Sequence, residues 1–241
     1  MALISLIKRM DKNGRLRSCI RSNSILFWMY YGFFAKVIYY PQTRRKRVNI
    51  QKHGRELLQH VYILLTAEEV TFFVDFGTLL GIIREGRFLG HDLDIDIGVI
   101  IEDAHTREKV QRLLTNGGCE LKKSFIYNGN VVEQSYTYSG IKFDICFYEN
   151  EANHSVCYLF YIADDSCLMP GKLNVVKMRY TMIKHVEKHE FEGITINVPE
   201  NPERLLEEKY GIDWRIPNKN WVYWKTPTAE YCDDLGTVIT H

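Results

Sequence analysis

Asp92, Asp94 and Asp96 alternate with Leu93, Ile95 and Ile97, and a fourth aspartate, Asp144, stands downstream among Ile141, Phe143, Ile145 and Phe147. Alternate residues of a strand share a face, so the first three carboxylates are expected side by side, neighbours about 6–7 Å apart. Charges held that close repel one another, and their ionised forms are costly unless a cation sits among them. Carboxylate oxygens suit a hard divalent ion such as Mg²⁺ or Mn²⁺, which makes Asp92, Asp94 and Asp96 candidate metal ligands, while Asp144 is a lone carboxylate facing away from the apolar side of its own strand. Alternating aspartates also occur on ordinary solvated strand edges, so the weight of the pattern rests on what precedes it.

What precedes it is VTFFVDF, a β-branched and aromatic run that reads as a buried strand, followed by a break at Gly77-Thr78 into TLLGIIRE, which reads as a helix. A strand that turns at glycine into a helix offers backbone N–H groups and the positive end of the helix dipole, both favourable to phosphate. Gly77 and Thr78 are therefore candidate phosphate contacts. Asp75 is a weaker candidate, because an aspartate at a strand end also serves as a local cap.

A glycine turn, an Asp-h-Asp-h strand and a later h-Asp-h strand (h for hydrophobic) together resemble the pattern of the nucleotidyltransferase superfamily. Within it, the run DFGTLLGIIREGRFLGHDLDIDIGV resembles the LicD/fukutin family, and the resemblance continues through IKFDICFYEN and, more loosely, VPENPERLLEEKYGIDWRIPNKNW, from about Leu57 to Trp224. It implies metal-dependent transfer of a phospho-alcohol (phosphocholine, or a polyol phosphate such as ribitol or glycerol phosphate). The donor would be CDP-activated, the acceptor a sugar hydroxyl of a glycan or glycolipid, and CMP the product. Asp94, Asp96 and Asp144 are then the catalytic carboxylates. Asp94 and Asp96 would hold one ion on the donor diphosphate, a second ion being shared with Asp144, which could also take the acceptor proton. Asp92 would be a further ligand or a support. By the same resemblance Arg84 is a phosphate contact, its fork of N–H donors suiting that task. Two alternatives stay open: a nucleotidyltransferase that adds a nucleoside monophosphate to a small acceptor, and a non-catalytic membrane-associated scaffold.

These residues need a scaffold, and 241 residues with 46% apolar composition suffice for one sizeable core. The net charge of +1 hides a division: residues 1–55 hold 13 Lys/Arg against the single acid Asp11, a net of +12, which leaves −11 on the remainder. Within the basic part, ILFWMYYGFFAKVIYY is aromatic and apolar but too short for a typical membrane span of about 20 residues. Arg15, Arg17 and Arg21 before it and Arg44-Arg45-Lys46-Arg47 after it suit an interfacial helix on an anionic bilayer through residues 15–47. The competing reading packs this helix on protein. No small-residue cleavage site follows the apolar run, which argues against a signal peptide. The expectation is a cytoplasmic chain, peripheral on the inner face of a membrane. The acidic remainder and the lack of a recognisable module argue against nucleic acid.

The predicted architecture is α+β: a nucleotidyltransferase-like mixed sheet flanked by helices, with residues 1–48 as a basic, aromatic helical arm and residues 49–241 as the catalytic domain. A core helix is expected over Val48–Glu69, with Leu57, Leu58, Val61, Leu64 and Leu65 inward, and a second after Asp103 as N-cap, stopped by Gly117-Gly118. Cys119–Tyr127 and Val131–Ser139 read as a hairpin joined at Asn128-Gly129-Asn130. Val156–Ile183 reads as strands of undetermined order, and PERLLEEKY as a helix ending at Gly211. Trp214, Trp221 and Trp224 are expected to wrap over the core. His185 and His189 stand four apart on a possible helix whose charged setting reads as a solvated face. The six cysteines show no framework and are expected as free thiols. His154, Cys157 and Cys167 lack convincing zinc spacing. Donor and acceptor choice is expected to lie in Glu149–Arg179.

Overall fold

The structure, a computed structural model, describes residues 40–162 and 171–241. The chain divides into two compact units, residues 1–48 and 49–241. Residues 1–39, which carry most of the basic aromatic arm, lie outside the described residues, as do Cys19 and Cys167. Among the described residues no helix is long and apolar enough to cross a membrane.

The fold is α+β. Helix α1 (Tyr40–Thr66) begins earlier than the apolar spacing predicts. It buries Ile50, Leu57, Leu58, Val61 and Leu65, residues recurring at the three- and four-residue steps of one helix face. Strand β1 (Phe72–Val74) is wholly buried and pairs antiparallel with β2 (Ile95–Ile100), Phe72 opposite Val99 and Val74 opposite Ile97. Between them lies α2 (Phe76–Glu85), capped by the Asp75 side chain, which accepts from Phe76 N, and closed by Gly86 at φ 66. A Cβ at Gly81 would stand 2.7 Å from Arg87 O and 2.9 Å from Leu89 N, so only glycine lets α2 lie against the loop that returns to Asp92. Gln51 of α1 holds the same loop through the carbonyls of Phe88 and Leu89 at 3.1 and 3.3 Å.

After β2 come α3 (Thr106–Asn116), β3 (Glu120–Tyr127), β4 (Asn130–Tyr138) and β5 (Ile141–Glu151). Asp103 does not cap α3 directly. His105 holds that position, while Asp103 accepts from His105 N at 2.8 Å and Thr106 Oγ1 at 3.0 Å, bracing the turn before it. The β3–β4 hairpin turns at Asn128 and Gly129, both at positive φ, the conformation a tight two-residue hairpin needs. Strand β5 runs antiparallel to β4 and parallel to β2.

The sheet is not a simple layer with helices on one side. Strand β6 (His154–Tyr161) pairs with the far end of β5 and with β7 (Lys172–Thr181). Strand β11 (Gly236–Thr240) bridges β7 and β3. Strands β5, β4, β3, β11, β7 and β6 thus close into a six-stranded, barrel-like ring, from which β2 and β1 extend, while β10 (Ala229–Tyr231) adds to β7. The physical reason is the length of β5: Ile141–Tyr148 serves β4 together with β2, and Glu149–Glu151 serves β6. Closure leaves the ring with no free strand edge of its own.

The segment holding His185 and His189 is no helix. His189 lies in β8 (Val186–Phe191), paired with β9 (Ile194–Pro199) in a separate hairpin that buries Phe191, Ile194, Ile196 and Val198. Helix α4 (Pro202–Tyr210) follows, capped by Asn201, which accepts from Arg204 N, and ends at Gly211. Trp214 joins the core and Trp224 stacks on Tyr161. The described cysteines are free thiols.

Candidate active site

The register of four strands builds the floor of the site. Asp96 on β2 stands opposite Asp144 on β5, Asp144 opposite Ser135 on β4, and Ser135 opposite Lys123 on β3. Two residues along each strand, Gly98, Cys146, Glu133 and Phe125 make the next row. Because strand side chains alternate between faces, both rows belong to the same side of the sheet.

Only Asp96 of the three clustered aspartates is a strand residue. Strand β2 begins at Ile95, where pairing with Phe143 begins, and Asp92 and Asp94 belong to the turn and bend before it. The strand-face spacing predicted for all three therefore does not apply. Asp94 is instead held by Lys142, whose Nζ donates to Asp94 Oδ2 at 2.9 Å and also to Asp144 Oδ2. The other oxygen of Asp144, Oδ1, accepts from Ser135 Oγ at 2.5 Å, so both carboxylate oxygens are engaged.

Gly77 lies against Asp92: a Cβ there would come within 3.1 Å of Asp92 Oδ2. Thr78 is buried, and its Oγ1 accepts from Asp96 N at 2.9 Å. That bond and Asp75 N donating to Asp96 O at 3.0 Å fix the backbone of Asp96 to the start of α2. Asp75 is buried in a separate network with Lys209 and Tyr148, beneath the site.

Gly77, Arg84, Asp92, Asp94, Asp96 and Asp144 all line one cavity of about 1210 Å³, and Glu133 lines it too. The opposite wall comes from Tyr210, Trp214, Trp221 and Tyr223, with Lys219 at the same wall. Trp221 packs on Tyr210 with ring centroids 4.4 Å apart. Trp214 and Trp221 were expected to cover the core; they face the cavity as well. Arg84 donates through Nη1 to Trp214 O at 3.2 Å and through Nη2 to Glu85 at 2.9 Å, while its Nε is buried without a partner.

The electrostatics are those of excess negative charge. Burial, followed by Asp94, Asp144, Asp75 and Asp92, pushes the Asp96 carboxyl well above the usual range. Burial, then Asp94 and Glu85, pushes Asp92 up to about 7 against the opposing pull of Arg84. Burial and then Asp144 push Glu133 up to about 8. Asp144 is raised mainly by burial, with Lys142 and Ser135 pulling it back. Burial alone would lower the Lys142 ammonium, but Asp144 and Asp94 outweigh it and keep it charged. Oxygen donors with surplus charge match the chemistry of a hard divalent cation. Among the described residues no three His, Cys, Asp or Glu side chains converge into a closed ligand cluster, and Lys142 is the cation between Asp94 and Asp144.

Residues 69–201 match the family model described as LicD/FKTN/FKRP, nucleotidyltransferase domain. The chain belongs to this family. The LicD-family match contains all the carboxylates of the floor and the whole of α2. Among characterised relatives, the ribitol-5-phosphate transferase FKTN of Homo sapiens is 24% identical over 190 residues, 78% of this chain and 39% of its own length. The ribitol 5-phosphate transferase FKRP of Mus musculus is 26% identical over 170 residues, 65% of this chain and 31% of its own. An uncharacterised protein of Rickettsia typhi, RT0683, is 28% identical over 88 residues. The chain thus spans well under half the length of the two transferases.

Glu133 is a cavity residue that nothing in the sequence singles out. Its strand was read only as half of a hairpin, and nothing local marks Glu133 apart from the other polar residues of VVEQSYTYS. The one available signal was its place two residues from Ser135, which acquires meaning only when β4 is set beside Asp144.

Proposed function

We propose that the chain transfers a phospho-alcohol, either phosphocholine or a polyol phosphate such as ribitol or glycerol phosphate, from a CDP-activated donor to a sugar hydroxyl of a glycan, releasing CMP. The observation that carries this reading is the pairing of Asp96 with Asp144 across parallel strands at the floor of a cavity that also holds Asp94 and Arg84. Membership of the LicD family and the names of FKTN and FKRP support it. We read the β1–α2–β2–β5 segment as the nucleotidyltransferase-like part of the fold.

Phosphoryl transfer needs neutralised phosphate charge, an aligned hydroxyl and an in-line leaving group. Asp94, Asp96 and Asp144, with Asp92 beside them, would hold one or two Mg²⁺ or Mn²⁺ ions, which supply charge neutralisation at the donor diphosphate. Arg84 is anchored at Nη1 and Nη2 and keeps Nε for a ligand oxygen. Gly77 leaves space beside Asp92 where a side chain would intrude. The ring faces of Trp221 and Tyr210 offer a surface for an unsaturated base. Lys142 donates to both Asp94 and Asp144 and so holds these two carboxylates together.

The test is mass-resolved turnover of the purified chain with CDP-choline, CDP-ribitol and CDP-glycerol, beside CTP and ATP, with Mg²⁺ and a mixed glycan acceptor. CMP release from one CDP-alcohol, abolished by EDTA and by Asp96→Asn, is the expected result. Pyrophosphate release from a triphosphate alone would turn the reading to nucleotidyl transfer. For residues 15–47 we propose contact with an anionic membrane on its cytoplasmic side. Deleting residues 1–45 should reduce binding to anionic vesicles and spare soluble turnover, and unchanged vesicle binding would refute this contact.

A further inference from the structure

Transfer to a sugar requires a group with a free oxygen beside the reacting hydroxyl, to orient it and to receive its proton. Asp144 is poorly placed for that duty, since Oδ1 is taken by Ser135 Oγ and Oδ2 by Lys142 Nζ. Asp94 Oδ2 is likewise taken by Lys142. Asp96, like Glu133, makes no side-chain hydrogen bond among the described residues, but it stands in the row of Asp144, and Glu133 differs by its place one row away. It occupies the row next to Asp144, on the same face of the sheet, between Phe125 and Cys146. It lines the cavity, and among the described residues its carboxylate makes no hydrogen bond or salt bridge. The residue is half-buried and solvent reaches its oxygens, with Lys142 and Lys123 as the nearby cations that attract it, so the carboxylate is open to accept a hydrogen bond from a ligand in the cavity.

We propose that Glu133 is the catalytic residue that binds the acceptor: its carboxylate accepts a hydrogen bond from the sugar hydroxyl and takes that proton as the oxygen attacks the donor phosphorus. This inference rests on the transfer reading above. In the step, the acceptor oxygen forms a bond to the phosphorus carrying the alcohol, the bond from that phosphorus to the CMP oxygen breaks, and CMP leaves with the electron pair. The acceptor proton ends on Glu133 and passes to solvent when product departs. The position also separates two tasks. The row of Asp96 and Asp144 serves the donor phosphates, and the row of Glu133 and Phe125 serves the acceptor. An apolar ring beside a carboxylate is a suitable pairing for a sugar, which presents C–H faces and hydroxyl edges.

The experiment compares the full chain with Glu133→Gln and Glu133→Asp. Donor affinity is measured by equilibrium dialysis with the CDP-alcohol that the wild-type chain turns over. CMP release is followed with glycerol and with methyl glycosides of glucose, galactose and N-acetylglucosamine as acceptors, and thermal unfolding reports folding. Gln keeps the shape of Glu and loses the base. The expected result for Glu133→Gln is donor affinity within about twofold of wild type and transfer reduced by roughly 10²–10⁴-fold, with Glu133→Asp recovering part of the rate. Wild-type transfer by Glu133→Gln overturns the inference and leaves the transferase reading standing. Equal losses of donor affinity and transfer in both variants also overturn it, since that is the mark of a structural role. Failure of the wild-type chain to release CMP from any of the three donors removes the transferase reading and this inference with it.

Discussion

Lys209 Nζ lies 3.0 Å from Asp75 Oδ1 with both side chains closed off from solvent, so the last turn of α4 is joined to the cap of α2 by a buried ion pair. Tyr148 completes the pair, donating to Asp75 Oδ2 and accepting from Lys209 Nζ at 2.8 Å. The ammonium also lies 3.6 Å from the centre of the Phe76 ring and 4.1 Å from that of Tyr180. Cation, anion and ring faces satisfy one another where water is excluded. The pair joins the wall of the cavity that carries Tyr210 to the wall that carries Gly77.

Breaking this pair should be costly. Lys209→Met leaves Asp75 buried and uncompensated, and Asp75→Asn does the same to Lys209. Each is expected to lose about 3–5 kcal/mol in urea unfolding. The double variant Lys209→Met/Asp75→Asn should lose less than the sum of the two. Additive losses would show that the two groups do not depend on each other.

The carboxylates of the floor should behave oppositely. Asp94→Asn and Asp144→Asn each remove a charge from a crowded cluster, so turnover should fall by roughly a hundredfold or more while thermal stability changes little. Near-normal CMP release in both variants would place the reacting centre elsewhere.

Lys142 should matter most when no metal is present. Lys142→Met leaves Asp94 and Asp144 without their cation, a loss of roughly 1–3 kcal/mol for a partly exposed group. Adding millimolar Mg²⁺ should then stabilise the variant more than the wild type, because a ligand that binds only the folded chain stabilises it by mass action. Thermal melts of both proteins with and without Mg²⁺ decide it, and equal Mg²⁺ shifts would refute the role given to Lys142.

The raised carboxyls set a pH dependence. Asp92 at about 7 and Glu133 at about 8 bind protons in the folded chain that the unfolded chain has already released. Their contribution is therefore complete below the unfolded value, near pH 4, and is lost as pH rises through about 7 to 8. Without divalent cation, the melting temperature should fall between about pH 5 and pH 8, and the fall should flatten in the Asp92→Asn/Glu133→Gln double variant. A flat wild-type profile over that window would contradict the charge crowding.

Much of this was legible along the chain. The helices around Leu57–Leu65 and PERLLEEKY, the hairpin at Asn128-Gly129 and the β5 strand all followed from local periodicity and turn residues, because those forces act within a few residues. The same locality explains why the α2 cap at Asp75 was readable as one of its two roles. The candidate carboxylates follow from alternation together with the glycine turn before it and the family resemblance, although Asp92 and Asp94 sit ahead of the strand that the alternation implies.

Tertiary structure decided the rest, since pairing between distant strands leaves no mark at short range. The ring closes through β11, whose residues 236–240 lie more than a hundred positions from β3. His189 entered a strand because Phe191, Ile194 and Ile196 are buried, which outweighs the helical spacing of two histidines. Thr78, a candidate phosphate contact at the glycine turn, is found to accept from the Asp96 amide, and Glu133 lines the cavity only because β4 is registered against β5. Chemical type and local geometry reside in the sequence; which oxygens remain free, and which charges face one another, depend on contacts across the fold.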